Sequence, residues 1–367
     1  MSLDVNESVA TKILYDSYQK VSKSPVDTCA IKDTIDFVME GKNCLTYRYI
    51  MFTAVLAKTV NPQIDILSLQ AKDKSSGAFD ARSLAKDVVF PFQKTMLGNI
   101  LDGSNSDPLV NKPARFERLR KDNPAAGGDP SKALVMLCDN LPKIRTRENA
   151  SICVDYIVSQ LLRKKEKRDT MRQKFEITAP DMDVYHVQNF MRSLLDCGFG
   201  GAALVIVTTA LYEMLFNNEE YTIKAHPVNQ SGSSKRQFSD LDVYRDEKPF
   251  MGTELKDKPY TLADIEHAAE TALKAKASSL LFVAGRQSSF ASQPPTYFME
   301  AREKYMKRGL YVGVMSIDSL IDFVFSSHAY MNSSHVMEAI TKTAESIGAI
   351  EAQMWIYDHL NEKTTDL

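Results

Sequence analysis

The sequence predicts an α/β protein in which a mixed sheet follows a mainly helical N-terminal region. Three observations lead there. Through most of the first 175 positions apolar residues recur at helical spacing. After residue 180 the pattern changes to short apolar runs bounded by polar turns, in the order helix, three strands, helix, strand, helix, strand. That interleaving places helices against a sheet. At 367 residues the chain also exceeds one average domain, so two regions are expected, 1–178 and 179–367.

Each element has its own local warrant. Val9, Ile13, Leu14 and Tyr18 predict a helix over 7–22, and the pattern continues over 26–39 and 44–59. Gly41 is a stop signal, and Asn61-Pro62 ends the third helix. Residues 72–77 form a loop, and a helix follows from Ala81 with an interruption near Pro91. The stretch 101–131 is rich in Gly, Pro, Asn and Asp and is expected to be irregular. A long helix over 148–172 comes next. In the second region, helices over 184–197 and 201–216 are separated by Gly198 and Gly200-Gly201. Strands are expected over 221–228, 241–244 and 250–255, with a loop at Ser231 to Ser234. An amphipathic helix over 261–275, strands over 279–284 and 310–315, and one C-terminal helix over 333–360 complete the chain.

Composition bounds the function. A formal net charge of -2 gives no bulk attraction for nucleic acid, so any such claim must rest on a local site. Two basic clusters are candidates for one. Lys112, Arg115, Arg118, Arg120 and Lys121 lie in the irregular stretch, and Arg163, Lys164, Lys165, Lys167, Arg168, Arg172 and Lys174 lie at the end of the long helix. Arg115, Arg118, Arg120, Lys164 and Lys165 are the candidate DNA contacts. The competing reading is a solvated helix end favoured by the helix dipole. The five cysteines are scattered without CxxC spacing, which argues against a zinc site or disulfide framework and for buried free thiols. No signal peptide and no run of about 18 apolar residues is visible, so a cytoplasmic protein without a membrane span is expected. The absence of GxxxxGK[ST] argues against ATP-driven chemistry.

The informative segment is Ser239-Asp240-Leu241-Asp242-Val243-Tyr244, a turn, and Pro249-Phe250-Met251-Gly252-Thr253-Glu254-Leu255-Lys256. A three-residue turn of Asp246, Glu247 and Lys248 sets Asp240 across from Glu254 and Asp242 across from Gly252. Lys256 then shares the face of Glu254. A two-residue turn would separate the carboxylates onto opposite faces. Two hard oxygen donors and an ammonium at one end of a hairpin suit phosphodiester hydrolysis with Mg2+. Two other acid-x-Lys tripeptides, Glu40-Gly41-Lys42 and Asp246-Glu247-Lys248, read as a helix end and a turn.

Asp240 followed fourteen residues later by Glu254-Leu255-Lys256 resembles the PD-(D/E)XK nuclease motif, and residues 185–316 resemble that superfamily's αβββαβ restriction-endonuclease-like core. Ser239 stands where the motif often has proline, and Asp242 leaves the first acid open between itself and Asp240, with Asp240 favoured. Glu254-Leu255-Lys256-Asp257-Lys258-Pro259-Tyr260 with Asp264-Ile265-Glu266-His267-Ala268 resembles Type II restriction endonucleases of the SacI type. So do Asp80-Ala81-Arg82-Ser83-Leu84 and Val88-Val89-Phe90-Pro91. The resemblance implies Asp240, Glu254 and Lys256 as catalytic residues, Asp240 and Glu254 as Mg2+ ligands, and Asp242 and Glu213 as accessory acids. It implies cleavage of double-stranded DNA at a specific short site by a homodimer, with the helical region as a recognition part. His226, in a strand near Pro227, reads as a satisfied histidine rather than a catalyst, and Glu266 and His267 read as ordinary helix surface, with support of the site as the alternative. Two rivals stand beside this reading: a related repair or structure-specific nuclease, and a non-catalytic helical interaction protein. The recognised bases are not readable from the sequence.

Overall fold

In the computed structural model the described residues are 2–101, 107–109, 113–178, 182–216, 218–227, 237–289, 295–327 and 332–363. The chain divides into two units, Met1–Thr170 and Met171–Leu367. Lys112, the loop at Ser231 to Ser234 and Val228 lie outside the described residues, as does the side chain of Lys174.

The first unit is helical. Helix α1 (Glu7–Val21) starts at Asn6, whose side chain accepts from the Val9 amide at 3.0 Å. It buries Ala10, Leu14, Ser17 and Val21, one stripe of a 3.6-residue repeat. Helix α2 (Lys32–Glu40) begins later than its apolar pattern suggested. Helix α3 (Leu45–Val60) is apolar on nearly every side and is buried on nearly every side. The interruption expected near Pro91 is a π turn: α4 (Ala81–Leu84) passes through Ala85–Val89 into α5 (Phe90–Met96). Pro91 has no N–H to donate and its ring crowds the preceding turn, and the wider turn absorbs both defects. Helix α6 (Asp129–Asn140) starts inside the stretch expected to be irregular, because Pro130 is tolerated in a first helical turn. Helix α7 (Arg147–Thr178) runs longer than expected.

The second unit is a five-stranded mixed sheet between helices. Strand order is β1 (Tyr221–Ala225), β2 (Leu241–Arg245), β3 (Lys248–Lys256), β4 (Ser279–Ala284), β5 (Tyr311–Ser316). The first three strands pair antiparallel, and β3, β4 and β5 pair parallel. The fold is therefore the mixed α/β class that the sequence predicts. Helices α8 (Val184–Cys197) and α9 (Ala202–Leu215) meet at a corner built by Gly198, Gly200 and Gly201, all at positive φ. They pack with α12 (Ile317–Ser327), α13 (Ser333–Ser346) and α14 (Ile350–Lys363) on one sheet face, against Leu241, Val243 and Val283. Helices α10 (Leu262–Lys274) and α11 (Pro295–Met306) cover part of the other face, against Leu280, Phe282, Ala284 and Val312. The single C-terminal helix expected over 333–360 is two helices, α13 and α14, because Gly348 sits at φ 69 between them.

The five cysteines are thiols, but only Cys44 and Cys153 are buried as expected; Cys29 and Cys138 are half-buried, and Cys197 is exposed at the glycine corner where α8 ends. Among the described residues no single helix is long and apolar enough to cross a membrane.

Candidate active site

The site depends on a register, and the register depends on a compensation. The β2–β3 turn is two residues long, Arg245 pairing with Lys248 across Asp246 and Glu247. Both turn residues have positive φ, 47° and 61°, the signature of a type I′ hairpin. This corrects the expected three-residue turn. Taken alone it would put Asp240 out of phase with Glu254. Phe250 restores the phase as a bulge, since Tyr244 pairs with Pro249 while Val243 pairs with Met251. The Phe250 ring is held by Tyr221 and Phe216, with ring centres 5.5 and 6.3 Å away. Beyond the bulge Asp242 faces Gly252 and Leu241 faces Thr253, the register the sequence reading assumed. Asp240 lies one step further, its amide donating to the Thr253 carbonyl at 3.1 Å.

Alternation then sorts the side chains. Leu241, Val243, Met251 and Leu255 join the core beneath α8 and α9. Asp240, Asp242, Gly252, Glu254 and Lys256 share the opposite face. Glu254 and Lys256 form an ion pair at 2.8 Å, each about one-fifth exposed. Asp240 accepts from the Leu255 amide at 2.9 Å. Burial, then the nearby Glu254 carboxylate, pushes Asp240 up to about 6, against the opposing pull of the Leu255 amide, Lys256 and His226. For Lys256 burial acts downward, but Glu254 and Asp240 outweigh it and hold the ammonium above its ordinary value. Lys256 is thus a cation and a proton donor at neutral pH.

Asp242 is placed differently. It is fully buried and bonded on all sides: His226 Nε2 lies at 2.9 Å, the Ser239 hydroxyl donates at 2.6 Å, and the Phe238 amide donates at 3.3 Å. Ser239 Oγ also accepts from the Thr253 amide at 2.9 Å, tying β2 to β3. A proline at 239 could do neither, which gives this departure from the nuclease motif a structural meaning. The sequence reading missed this network; the signal was Ser239 three residues before Asp242, a spacing that lets a hydroxyl reach forward. Gly252 does not border open space. A Cβ there would meet the Phe238 ring at 3.0 Å and Ser239 Oγ at 3.2 Å. Asp257, also unforeseen, accepts from the Gln287 amide at 3.0 Å and lies against Gly285, where a Cβ would come within 2.2 Å of it.

The donors at Asp240 and Glu254 suit a hard divalent cation. Both are carboxylates, and the raised Asp240 pKa records burial and, after it, the like charge of Glu254, a cost that a cation would relieve. Among the described residues no three His, Cys, Asp or Glu side chains cluster as a complete ligand set. A cation held by two carboxylates, with water and phosphate oxygens filling the rest, is the usual arrangement for Mg2+.

The model of the SacI restriction endonuclease N-terminal domain matches residues 9–165, and that of the SacI restriction endonuclease C-terminal domain matches residues 179–286. The chain belongs to the SacI restriction endonuclease family. No curated protein matches it. Membership makes the chain a nuclease of a restriction system, and the hairpin just described lies inside the matched C-terminal domain.

The remaining sequence candidates fall elsewhere. Glu213 is on α9, on the core-packed side of the sheet, where its charge acts on Lys342 of α13. Glu266 pairs with Lys304 at 2.6 Å, and His267 is exposed on α10. Arg118 is tied to Asp65 and, at 3.2 Å, to Asp73. Arg120 pairs with Asp122 at 3.1 Å and Lys165 with Asp169 at 2.9 Å. Arg115 is exposed and Lys164 half-buried. A phosphate contact by Arg118, Arg120 or Lys165 would have to compete with these internal carboxylates.

Proposed function

We propose that this restriction endonuclease cleaves double-stranded DNA at a specific short site by Mg2+-dependent phosphodiester hydrolysis of the PD-(D/E)XK kind. The observation that carries the reading is the meeting of Asp240, Glu254 and Lys256 at one end of the β2–β3 hairpin in a chain of this family. Asp240 and Glu254 would hold the cation. When bound, the cation lowers the pKa of a coordinated water and stabilises charge building on the phosphate. Lys256, held protonated by its neighbours, would donate to the attacked phosphate and orient the nucleophilic water. The Leu255 amide fixes Asp240 so that one carboxylate oxygen is committed to the fold and the other remains for the cation. A palindromic target would be read by a homodimer whose two-fold axis coincides with that of the DNA, the helical first unit serving recognition.

The test is digestion of plasmid DNA with Mg2+, with and without excess chelator, followed by sequencing of the ends. Discrete fragments with one palindromic end sequence, lost in chelator, are the expected result. Robust cutting in chelator would sink the metal mechanism. A smear of unrelated ends would favour a repair or structure-specific nuclease instead.

A further inference from the structure

On the same sheet face as the carboxylates, a cleft of about 850 Å³ opens over β1 and β2 beside the end of α10. Lys224, Phe238, Tyr244, Thr271 and Lys274 line it, with Glu247 as its one carboxylate. Lys224 and Lys274 are both exposed, and among the described residues neither is in an ion pair. The Lys224 ammonium stands 4.7 Å from the centre of the Tyr244 ring, which orients it without cancelling its charge. This differs from the cations of the two basic sequence clusters, where Arg118, Arg120, Lys121, Arg163, Lys165 and Arg168 are each in a salt bridge.

One residue of the cleft reaches toward the active site. Phe238, which lines it, lies over Gly252 and gives its amide to Asp242. Tyr244 is four residues along β2 from Asp240 and on the same face, a separation of about 13 Å at the usual strand rise. Along a duplex axis that is the span of about four phosphates of one strand. The cleft's chemistry suits an anionic strand: two ammonium groups with no ion pair among the described residues, a hydroxyl and aromatic surface, against the single carboxylate of Glu247.

We propose that this cleft holds the DNA backbone beside the cleavage point, with Lys224 and Lys274 each neutralising a phosphate within about four positions of the scissile one. The inference rests on the nuclease reading above, and its test separates the two. Binding of a duplex carrying the mapped cut site is measured in Ca2+ from 50 to 300 mM salt for the wild type and for K224Q/K274Q. Each lost phosphate contact should make the slope of log affinity against log salt shallower by about 0.9. The double variant is therefore expected to be shallower by about 1.8 and to bind at least about tenfold more weakly at 100 mM salt. Each single variant should give half the change in slope. Single methylphosphonate substitutions flanking the cut should weaken the wild type, and those facing the cleft should have no effect on the double variant. If the wild type cuts and K224Q/K274Q matches its affinity and slope, the cleft assignment is overturned while the nuclease reading stands. If the wild type neither binds nor cuts duplex DNA, the nuclease reading fails and the cleft assignment fails with it.

Discussion

Two aspartates on one strand, two residues apart and on one face, are treated in opposite ways. Asp242 is fully buried but met by an imidazole, a hydroxyl and a backbone amide. Asp240 is less buried, receives one amide, and faces the like charge of Glu254. The first arrangement satisfies a carboxylate for the sake of the fold. The second leaves a carboxylate wanting a cation, which is what a metal-dependent site requires. Burial alone does not separate a structural acid from a functional one; the number and sign of its partners do.

The largest expected effect tests this division. Asp240→Ala, Glu254→Ala and Lys256→Ala should each slow single-turnover cleavage by about a thousandfold or more, roughly 4 kcal/mol of barrier, while binding in Ca2+ persists. Asp242→Asn, assayed on the folded fraction, should cut much faster than any of them. A dead but folded Asp242→Asn beside an active Asp240→Ala would invert the comparison and make Asp242 the first ligand.

Stability should move in opposite directions at the two positions. Asp242→Asn replaces a buried carboxylate whose partners are donors, and a loss of about 3 kcal/mol in urea unfolding is expected. Asp240→Asn removes a strained charge. A rise from the ordinary 3.8 to about 6 corresponds to at most about 3 kcal/mol, so the metal-free variant should be more stable than wild type at pH 7 by about 1 to 3 kcal/mol. Equal and same-signed changes would mean that both acids serve the fold.

Much of this was legible in the sequence, for identifiable reasons. The strands of the second unit announced themselves by alternation and by the polar turn between them. The Asp240–Glu254 pairing was also legible, but through a turn that proved one residue too long and a bulge that was invisible. Bulges carry no composition signal when the extra residue, here Phe250, is as apolar as its neighbours. The division of labour between Asp240 and Asp242 was not legible, because it depends on His226 crossing over from the end of β1 and on the chain before β2 turning the Phe238 amide toward Asp242. Nor was the pairing state of the arginines: Arg118 looks like a phosphate ligand until Asp65 and Asp73, some fifty residues away in sequence, close on it. Local pattern gives element type and face; partners distant in the chain decide whether a charge is spent or available.

The smallest effect expected is a linkage between pH and the cation. Asp240 has its folded pKa above its unfolded one, so its protonated form is favoured by the fold. The stabilising contribution is fully present below about pH 4 and is lost as pH rises through about 6. Metal-free protein should therefore show a stability decrement across that window that Asp240→Asn lacks. Cleavage runs the other way, because the carboxylate must be ionised to hold a cation. At low Mg2+ the single-turnover rate should rise with pH through about 6. Binding the cation releases that proton, so a tenfold increase in Mg2+ should move the midpoint down by as much as about one pH unit. The measurement is a set of pH–rate profiles at several Mg2+ concentrations. A midpoint that stays fixed while Mg2+ varies would mean that the titrating group and the cation do not compete, and that the raised Asp240 is not where the cation binds.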